Sequence, residues 1–333
     1  MKIFICGFGT VGQGVAETIL NKKEFFEERY GENVLVVGAT DSTTYALDEN
    51  GLDLKKLLAT KKTTSNVGND EYTDVVKVLA SSDFDVLIEV TPTDIDTGGV
   101  GLGNIEYALG HGKDVITVNK GPLALKYKEL MDLAKSNRCM FRFEGSVGGA
   151  MPIINLCNSD LAGQRIKSIR GIFNGTCNYI LSKMDSGQPF EQALKEAKQQ
   201  GYAEADPTYD IEGYDSACKV VILANSVFGR NVTFDDVDIT GITSINADAV
   251  ALAKSSGMVI RLIGEVSATK LEVAPRLIPK GHPLSLAGTL NTAEIITELA
   301  GPITVSGSGA GRLETASAIM SDLVAIMDRR LGE

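Results

Sequence analysis

Apolar residues follow two different rhythms along this chain. Near the start, KIFIC (2–6) is an unbroken apolar run that stops at a glycine, as a strand buried on both faces does. Val11, Val15 and Ile19 then recur at helical spacing, and a second apolar run covers 34–37. FDVLIEV (84–90) predicts a third strand ending at Thr91-Pro92. A helix around 105–111 and a further strand, DVITVNK (114–120), follow it. Strands alternating with helices predict an α/β fold, a doubly wound Rossmann-type sheet over residues 1–140.

Beyond that point the rhythm changes. RIKSIRGIF (165–173) alternates as a half-exposed strand would. MVIRLIGEV and LEVAPRLI alternate on either side of the turn 267–270, which predicts an antiparallel hairpin. With helices expected near 190–200 and 214–228, the middle of the chain reads as α+β on a mixed or antiparallel sheet. ITVSGSGAG (303–311) reads as a strand and glycine turn ahead of an amphipathic helix from Glu314 to Arg329. That segment is expected to return to the edge of the first domain. The division is then 1–140 plus 305–333 for a dinucleotide-binding domain and 141–304 for a second domain.

Composition narrows the function. Thirty-two basic against 43 acidic residues give a net charge of −11, which repels nucleic acid and anionic lipid. The chain has no apolar run long enough for a membrane span and no charged leader, so neither partner is expected. Five scattered cysteines without a CxxC suit reduced thiols in the cytoplasm. Only His111 and His282 exist, which leaves little room for histidine-based metal sites or a Ser-His-Asp triad.

GFGTVG (7–12) fits G-x-G-x-x-G between a strand and a helix. Gly7 suits the tight turn, Gly9 lets backbone approach a pyrophosphate, and Gly12 lets helix and strand pack closely. The helix N-terminus then faces phosphate charge. Asp41, at the end of the second strand, is either the acid that bonds ribose hydroxyls or a turn aspartate. Lys55 and Lys56 could equally meet a 2′-phosphate, so both NAD and NADP stay open. Thr91 and Lys120 end parallel strands, where open α/β sheets place ligands.

EADPTYDIEGYDSACK (204–219) packs five carboxylates ahead of one lysine. Gly201 stops the preceding helix and Pro207 keeps the intervening loop non-helical. In the next helix Asp215 and Lys219 are i and i+4, one turn apart on one face. A solvent-exposed ion pair is the ordinary reading of that spacing. The apolar character of the helix, and Glu204, Asp206 and Asp210 in the loop before it, favour instead a site for a substrate bearing an amino group. Lys219 can there donate a proton to a developing alkoxide.

Together with TVNKGPLA (117–124), FEGSVGGAMPI (143–153), FNGTCNYIL (173–181) and GSGAG (307–311), these motifs resemble homoserine dehydrogenases along nearly the whole chain. The resemblance implies reversible, NAD- or NADP-dependent reduction of L-aspartate 4-semialdehyde to L-homoserine. It implies that Lys219 exchanges the proton, that Asp215 orients it and binds the hydroxyl end, and that Lys120 is a second relay candidate. Glu204 is implied to hold the substrate amino group, with Asp210 a further substrate-side carboxylate. Cofactor contacts are implied at Phe8, Thr10, Val11, Thr91, Lys120, Gly201 and Gly311, beside Gly7, Gly9, Gly12 and Asp41. NADP-preferring relatives often carry an arginine near 41–43, where this chain has Asp-Ser-Thr.

The resemblance further implies a homodimer built through the central catalytic region, and a structural Na+ on backbone oxygens of Glu144, Val147, Gly149 and Met151. Read from residues alone, EGSVGGAMPI is a turn into a helix with Pro152 at its first position. Neither a C-terminal regulatory domain nor a fused aspartate kinase is expected. Two rivals remain: an acylating semialdehyde dehydrogenase using Cys177 as nucleophile, and a non-catalytic NAD(P) sensor. His282 lies in a loop, as a solvated residue or a substrate contact.

Overall fold

The computed structural model describes residues 1–332. They form two compact units, Met1–Ser146 with the described residues from Gly311 onward, and Val147–Ala310.

The first unit is built on a seven-stranded sheet in the order β4-β3-β2-β1-β5-β6-β7. Its strands are β1 (Lys2–Cys6), β2 (Leu35–Thr40), β3 (Thr44–Leu47), β4 (Asp70–Glu71), β5 (Val86–Glu89), β6 (Asp114–Thr117) and β7 (Phe141–Arg142). β2, β1, β5, β6 and β7 run parallel, whereas β3 and β4 add antiparallel strands at one edge. Every residue of β5 and β6 is buried, as expected for strands covered on both faces. Ile3, Ile5, Val15, Ile19, Ile319 and Leu323 share one core cluster. The helix Arg312–Gly332 therefore completes this unit. Gly14 permits its approach to the helix Thr10–Asn21, since a Cβ there would lie 2.5 Å from the Arg312 carbonyl oxygen.

The second unit carries a sheet in the order β13-β12-β8-β10-β11-β9. These strands are β8 (Ile166–Ile172), β9 (Asp238–Ile239), β10 (Met258–Ser267), β11 (Leu271–Pro279), β12 (Leu290–Thr297) and β13 (Pro302–Ser308). The expected hairpin is β10–β11, paired from Met258↔Pro279 to Val266↔Leu271. Helices Gly175–Asp185, Phe190–Gln199 and Tyr214–Phe228 belong to this unit.

Two expectations need correction. The strand in ITVSGSGAG does not join the nucleotide sheet. As β13 it pairs antiparallel with β12, from Leu290↔Ser308 to Ile296↔Pro302, so the chain returns to the first unit only at Gly311. A short loop after β12 makes the antiparallel neighbour the nearest partner for its backbone groups. Pro152 likewise does not open a helix. A short helix ends at Gly148, Gly149 turns left-handed (φ +59°), and the Met151 amide closes on the Gly148 carbonyl. The backbone becomes helical again only after Pro152, with a π turn at Leu156–Asp160.

Candidate active site

In the first unit the glycine turn sits where β1 meets the helix Thr10–Asn21. Gly7 has φ +97°, and a Cβ there would lie 2.6 Å from the Val90 carbonyl oxygen. A Cβ on Gly12 would lie 2.2 Å from the Gly7 carbonyl oxygen. Gly9, the N-cap, has nothing within 4 Å of a Cβ position, so protein packing is not what keeps it bare. That open space leaves room for a ligand to approach the backbone, and the turn fits a dinucleotide pyrophosphate. Gly7 and Phe8 amides both donate to the Thr40 carbonyl, at 3.0 and 2.8 Å. The Phe8 ring is fully buried, leaving only its backbone for a cofactor. Thr10 is exposed and Val11 half-buried at the start of the helix.

Asp41 is the sequence candidate whose surroundings differ most from a ribose site. One carboxylate oxygen accepts the Thr43 and Thr44 amides and the Thr44 hydroxyl, at 3.0, 2.8 and 3.0 Å. The other accepts Lys61 Nζ at 2.7 Å and the Val67 amide at 3.0 Å. Five donors exhaust the lone pairs of a carboxylate and leave none for ribose hydroxyls. Burial alone would raise this carboxyl, but Lys61 and the Thr43 and Thr44 amides outweigh it and draw it down to about 2. Asp41 thus organises its turn, as a buried rather than solvated residue. The cation beside it is Lys61, while Lys55 and Lys56 are exposed at the start of the helix Leu54–Thr64.

Thr91 and Lys120 follow β5 and β6. The Thr91 amide and hydroxyl both donate to Glu89 Oε1, the amide at 3.0 Å. Lys120 opens the helix Lys120–Ser136, whose N-cap is Asn119, with the Asn119 side chain accepting the Gly121 amide at 3.1 Å.

In the second unit, Asp215 and Lys219 lie on the helix Tyr214–Phe228, set off by left-handed glycines at 213 and 229. Every residue from Asp215 to Asn225 is buried, so the pair is no exposed surface contact. Lys219 is 7 % exposed, and its ammonium donates to Asp215 Oδ2 and to the Phe173 carbonyl, both at 2.6 Å. Its third N–H has no partner among the described residues. Asn174 Nδ2 donates to Asp210 Oδ1 at 2.7 Å and to Asp215 Oδ2 at 3.0 Å. Its carbonyl oxygen caps the next helix by accepting the Cys177 amide at 2.8 Å. Burial, then the neighbouring Asp215, raise the Asp210 carboxyl against the pull of Asn174.

Asp210, Asp215 and Lys219 therefore meet in one hydrogen-bonded cluster. Glu204 does not enter it, being exposed with no hydrogen bond or ion pair among the described residues. Gly201 is an exposed left-handed stop after the helix Phe190–Gln199, and Gly311 stands where the chain re-enters the first unit. Of the four residues expected to face sodium, Glu144 belongs to the first unit and Val147, Gly149 and Met151 to the second. Asn174 was missed from sequence; its signal was an asparagine three residues before a buried helical position, the usual cap spacing. Cys177 is fully buried, and burial followed by Asp210 pushes its thiol well up, the reverse of what a nucleophile needs. His282 caps the 3₁₀ turn Pro283–Ser285 by accepting the Leu284 amide, and its Nε2 lies 3.4 Å from Glu294.

A sheet whose strand ends carry a dinucleotide turn places the chain among NAD(P)-dependent oxidoreductases. A profile for the NAD-binding domain of homoserine dehydrogenase matches residues 7–144, and one for homoserine dehydrogenase matches 152–324. A homoserine dehydrogenase of Methanocaldococcus jannaschii is 49% identical over 98% of either chain. A crystal structure from Archaeoglobus fulgidus, provisionally assigned as a homoserine dehydrogenase, superposes with a TM-score of 0.92. It is 47% identical and covers 98% of this chain and 99% of that one. A hyperthermophilic archaeal homoserine dehydrogenase in complex with NADPH gives a TM-score of 0.86 at 30% identity, over 98% of each chain. The chain belongs to the homoserine dehydrogenase family.

Proposed function

We propose that this homoserine dehydrogenase, an enzyme using NAD or NADP, works through Lys219 as the group that exchanges the proton on the substrate oxygen. The reaction interconverts L-homoserine and L-aspartate 4-semialdehyde. The observation that carries the assignment is the buried ammonium held by Asp215 and the Phe173 carbonyl with one N–H left over. Two acceptors fix its direction, and the remaining hydrogen serves the substrate oxygen as charge builds there. In a site shielded from water such a donor stabilises an alkoxide far more than solvent does.

The nicotinamide supplies or accepts the hydride when bound. Among this chain's residues, Gly7, Gly9 and Gly12 shape the pyrophosphate turn, with Thr91 and Lys120 at neighbouring strand ends. Asp210 and Asp215 outnumber the single ammonium of Lys219, which suits a substrate carrying its own amino group. An arriving ammonium would favour the charged form of the Asp210 carboxyl, opposing the burial and the Asp215 charge that raise it. Glu204, unpaired and exposed, is a further anion for that amino group. In reduction Lys219 acts charged. In oxidation the same nitrogen takes the hydroxyl proton back.

The test is homoserine-dependent formation of reduced nicotinamide by the purified chain, with NAD and NADP in separate reactions. Turnover with either supports the reading, and nucleotide binding without turnover overturns it. The same reading extends to a domain division into dinucleotide-binding and catalytic units, a cytoplasmic homodimer and a structural sodium on the 144–151 backbone. The left-handed turn at Gly149 suits inward carbonyls, and the sodium takes no part in the chemistry. Light scattering and a melting temperature that rises with Na+ but not with choline check the last two.

A further inference from the structure

Glu89 is a fully buried carboxyl at the end of β5 to which the mechanism gives no task. Its register neighbours are Cys6 on β1 and Thr117 on β6. Oε1 accepts both Thr91 donors. Thr117 Oγ1 lies 3.0 Å from the Glu89 carbonyl oxygen and 3.1 Å from its Oε2, and accepts the Asn119 amide at 3.0 Å. The Asn119 side chain closes the ring, donating to Thr91 Oγ1 at 3.3 Å and to the Pro92 carbonyl at 3.2 Å. Gly101, on the helix Gly99–Gly110, makes room: a Cβ there would lie 2.5 Å from Asn119 Nδ2 and 3.1 Å from the Glu89 carboxyl.

We propose that Glu89 is a positioning residue for the dinucleotide, acting as a neutral acid that ties Thr91, Thr117 and Asn119 into one frame. The proton count favours this. Thr117 has one hydroxyl hydrogen and two acceptors within reach. A proton on Glu89 Oε2 can be donated to Thr117 Oγ1 while the hydroxyl hydrogen goes to the Glu89 carbonyl. An ionised carboxylate instead competes with that carbonyl for a single hydrogen.

The charged and titratable surroundings agree. Cys6 is the titratable neighbour on β1, and burial holds its thiol neutral. Thr117 on β6, Gly101 on the helix beside it, and Asn119 and Gly121 at the start of the next helix carry no charge. Lys120, at that helix start, donates to none of the Glu89 oxygens in the bonds that build the frame. Burial pushes the Glu89 carboxyl up to about 7, against the hydrogen bonds from Thr91, Thr117 and Asn119. An ionised Glu89 also sets a buried anion beneath the strand ends that must receive a pyrophosphate.

The proposal rests on the nucleotide site described under the proposed function. Its test is therefore NADH binding alone, by nicotinamide fluorescence from pH 6 to 9, without homoserine; NADH avoids the titrating 2′-phosphate of NADPH. Wild-type affinity is expected to fall above pH 7, towards a limit of about tenfold per pH unit. Glu89→Gln, which keeps both the acceptor and a donor, should bind as wild type does at pH 6 and show a flat profile. Glu89→Ala should bind weakly at every pH while unfolding cooperatively. A wild-type profile that is flat, or one that Glu89→Gln reproduces, overturns the proposal, as does Glu89→Gln binding as poorly as Glu89→Ala. Absence of both NADH and NADPH binding by the wild type would overturn the nucleotide site itself. Binding of NADPH alone would move the same pH series to NADPH, with Glu89→Gln as the reference for its 2′-phosphate, and binding without homoserine turnover would spare both.

Discussion

Replacing Lys219 with methionine separates its chemical task from its structural one. Methionine keeps most of the volume but removes the ammonium, so Asp215 retains Asn174 and loses its ion pair with Lys219 inside a buried helix. Removing one partner of a buried ion pair costs about 3–5 kcal/mol. Lys219→Met should therefore unfold at lower denaturant by that amount. Its kcat should fall by about 10⁴ or more, combining a lost proton donor with lost stabilisation of the oxyanion. NADH affinity should change by less than about twofold, since the nucleotide turn lies in the first unit. Adding Asp215→Asn removes the facing carboxylate and should recover most of the lost stability without recovering turnover. The measurements are denaturant unfolding, steady-state oxidation of homoserine, and NADH fluorescence on the same preparations. If turnover returned with stability in the double variant, Lys219 would be a structural residue and the mechanism would be wrong. A single variant losing less than about tenfold in kcat would refute it equally.

Asn174→Ala removes the donor shared by Asp210 and Asp215 together with the cap on Cys177. It should cost about 3 kcal/mol in unfolding free energy and raise the KM for homoserine more than it lowers kcat. Gly9→Ala should leave thermal stability unchanged yet abolish NADH binding, whereas Gly12→Ala, its Cβ 2.2 Å from the Gly7 carbonyl oxygen, should lower both. Glu89 ionises at 4.5 ordinarily and at about 7 in the folded chain, so the folded state keeps a proton that the unfolded state releases between those values. Stability lost to Glu89 therefore grows as pH rises through that window, by about 3 kcal/mol in all. Glu89→Gln should be no more stable than wild type at pH 4.5 but clearly more stable at pH 8, and equal differences at the two pH values would contradict the sign.

Local signals carried the parts of this molecule that sequence alone revealed. The glycine after KIFIC, the glycines bounding the helix Tyr214–Phe228 and the i,i+4 spacing of Asp215 and Lys219 are all decided within a few residues. What escaped was decided at a distance. β13 looked like a first-domain strand because its sequence cannot say that β12 offers it hydrogen bonds. Asn174 reaches carboxylates 36 and 41 positions away, and Asp41 is saturated by Lys61 and Val67, none of which spacing predicts. Yet each of these buried polar groups left one trace, a polar residue where apolar neighbours predict burial. Glu89 interrupts FDVLIEV, and Lys219 precedes VVILA. A buried charge is costly without partners, so such a conflict between residue type and local pattern forces the fold to supply some. Where burial outweighs the hydroxyls and amides, as around Glu89, the chain keeps the acid by keeping its proton. Where the partners are carboxylates and a carbonyl, as around Lys219, it keeps a charge with one hydrogen still to give.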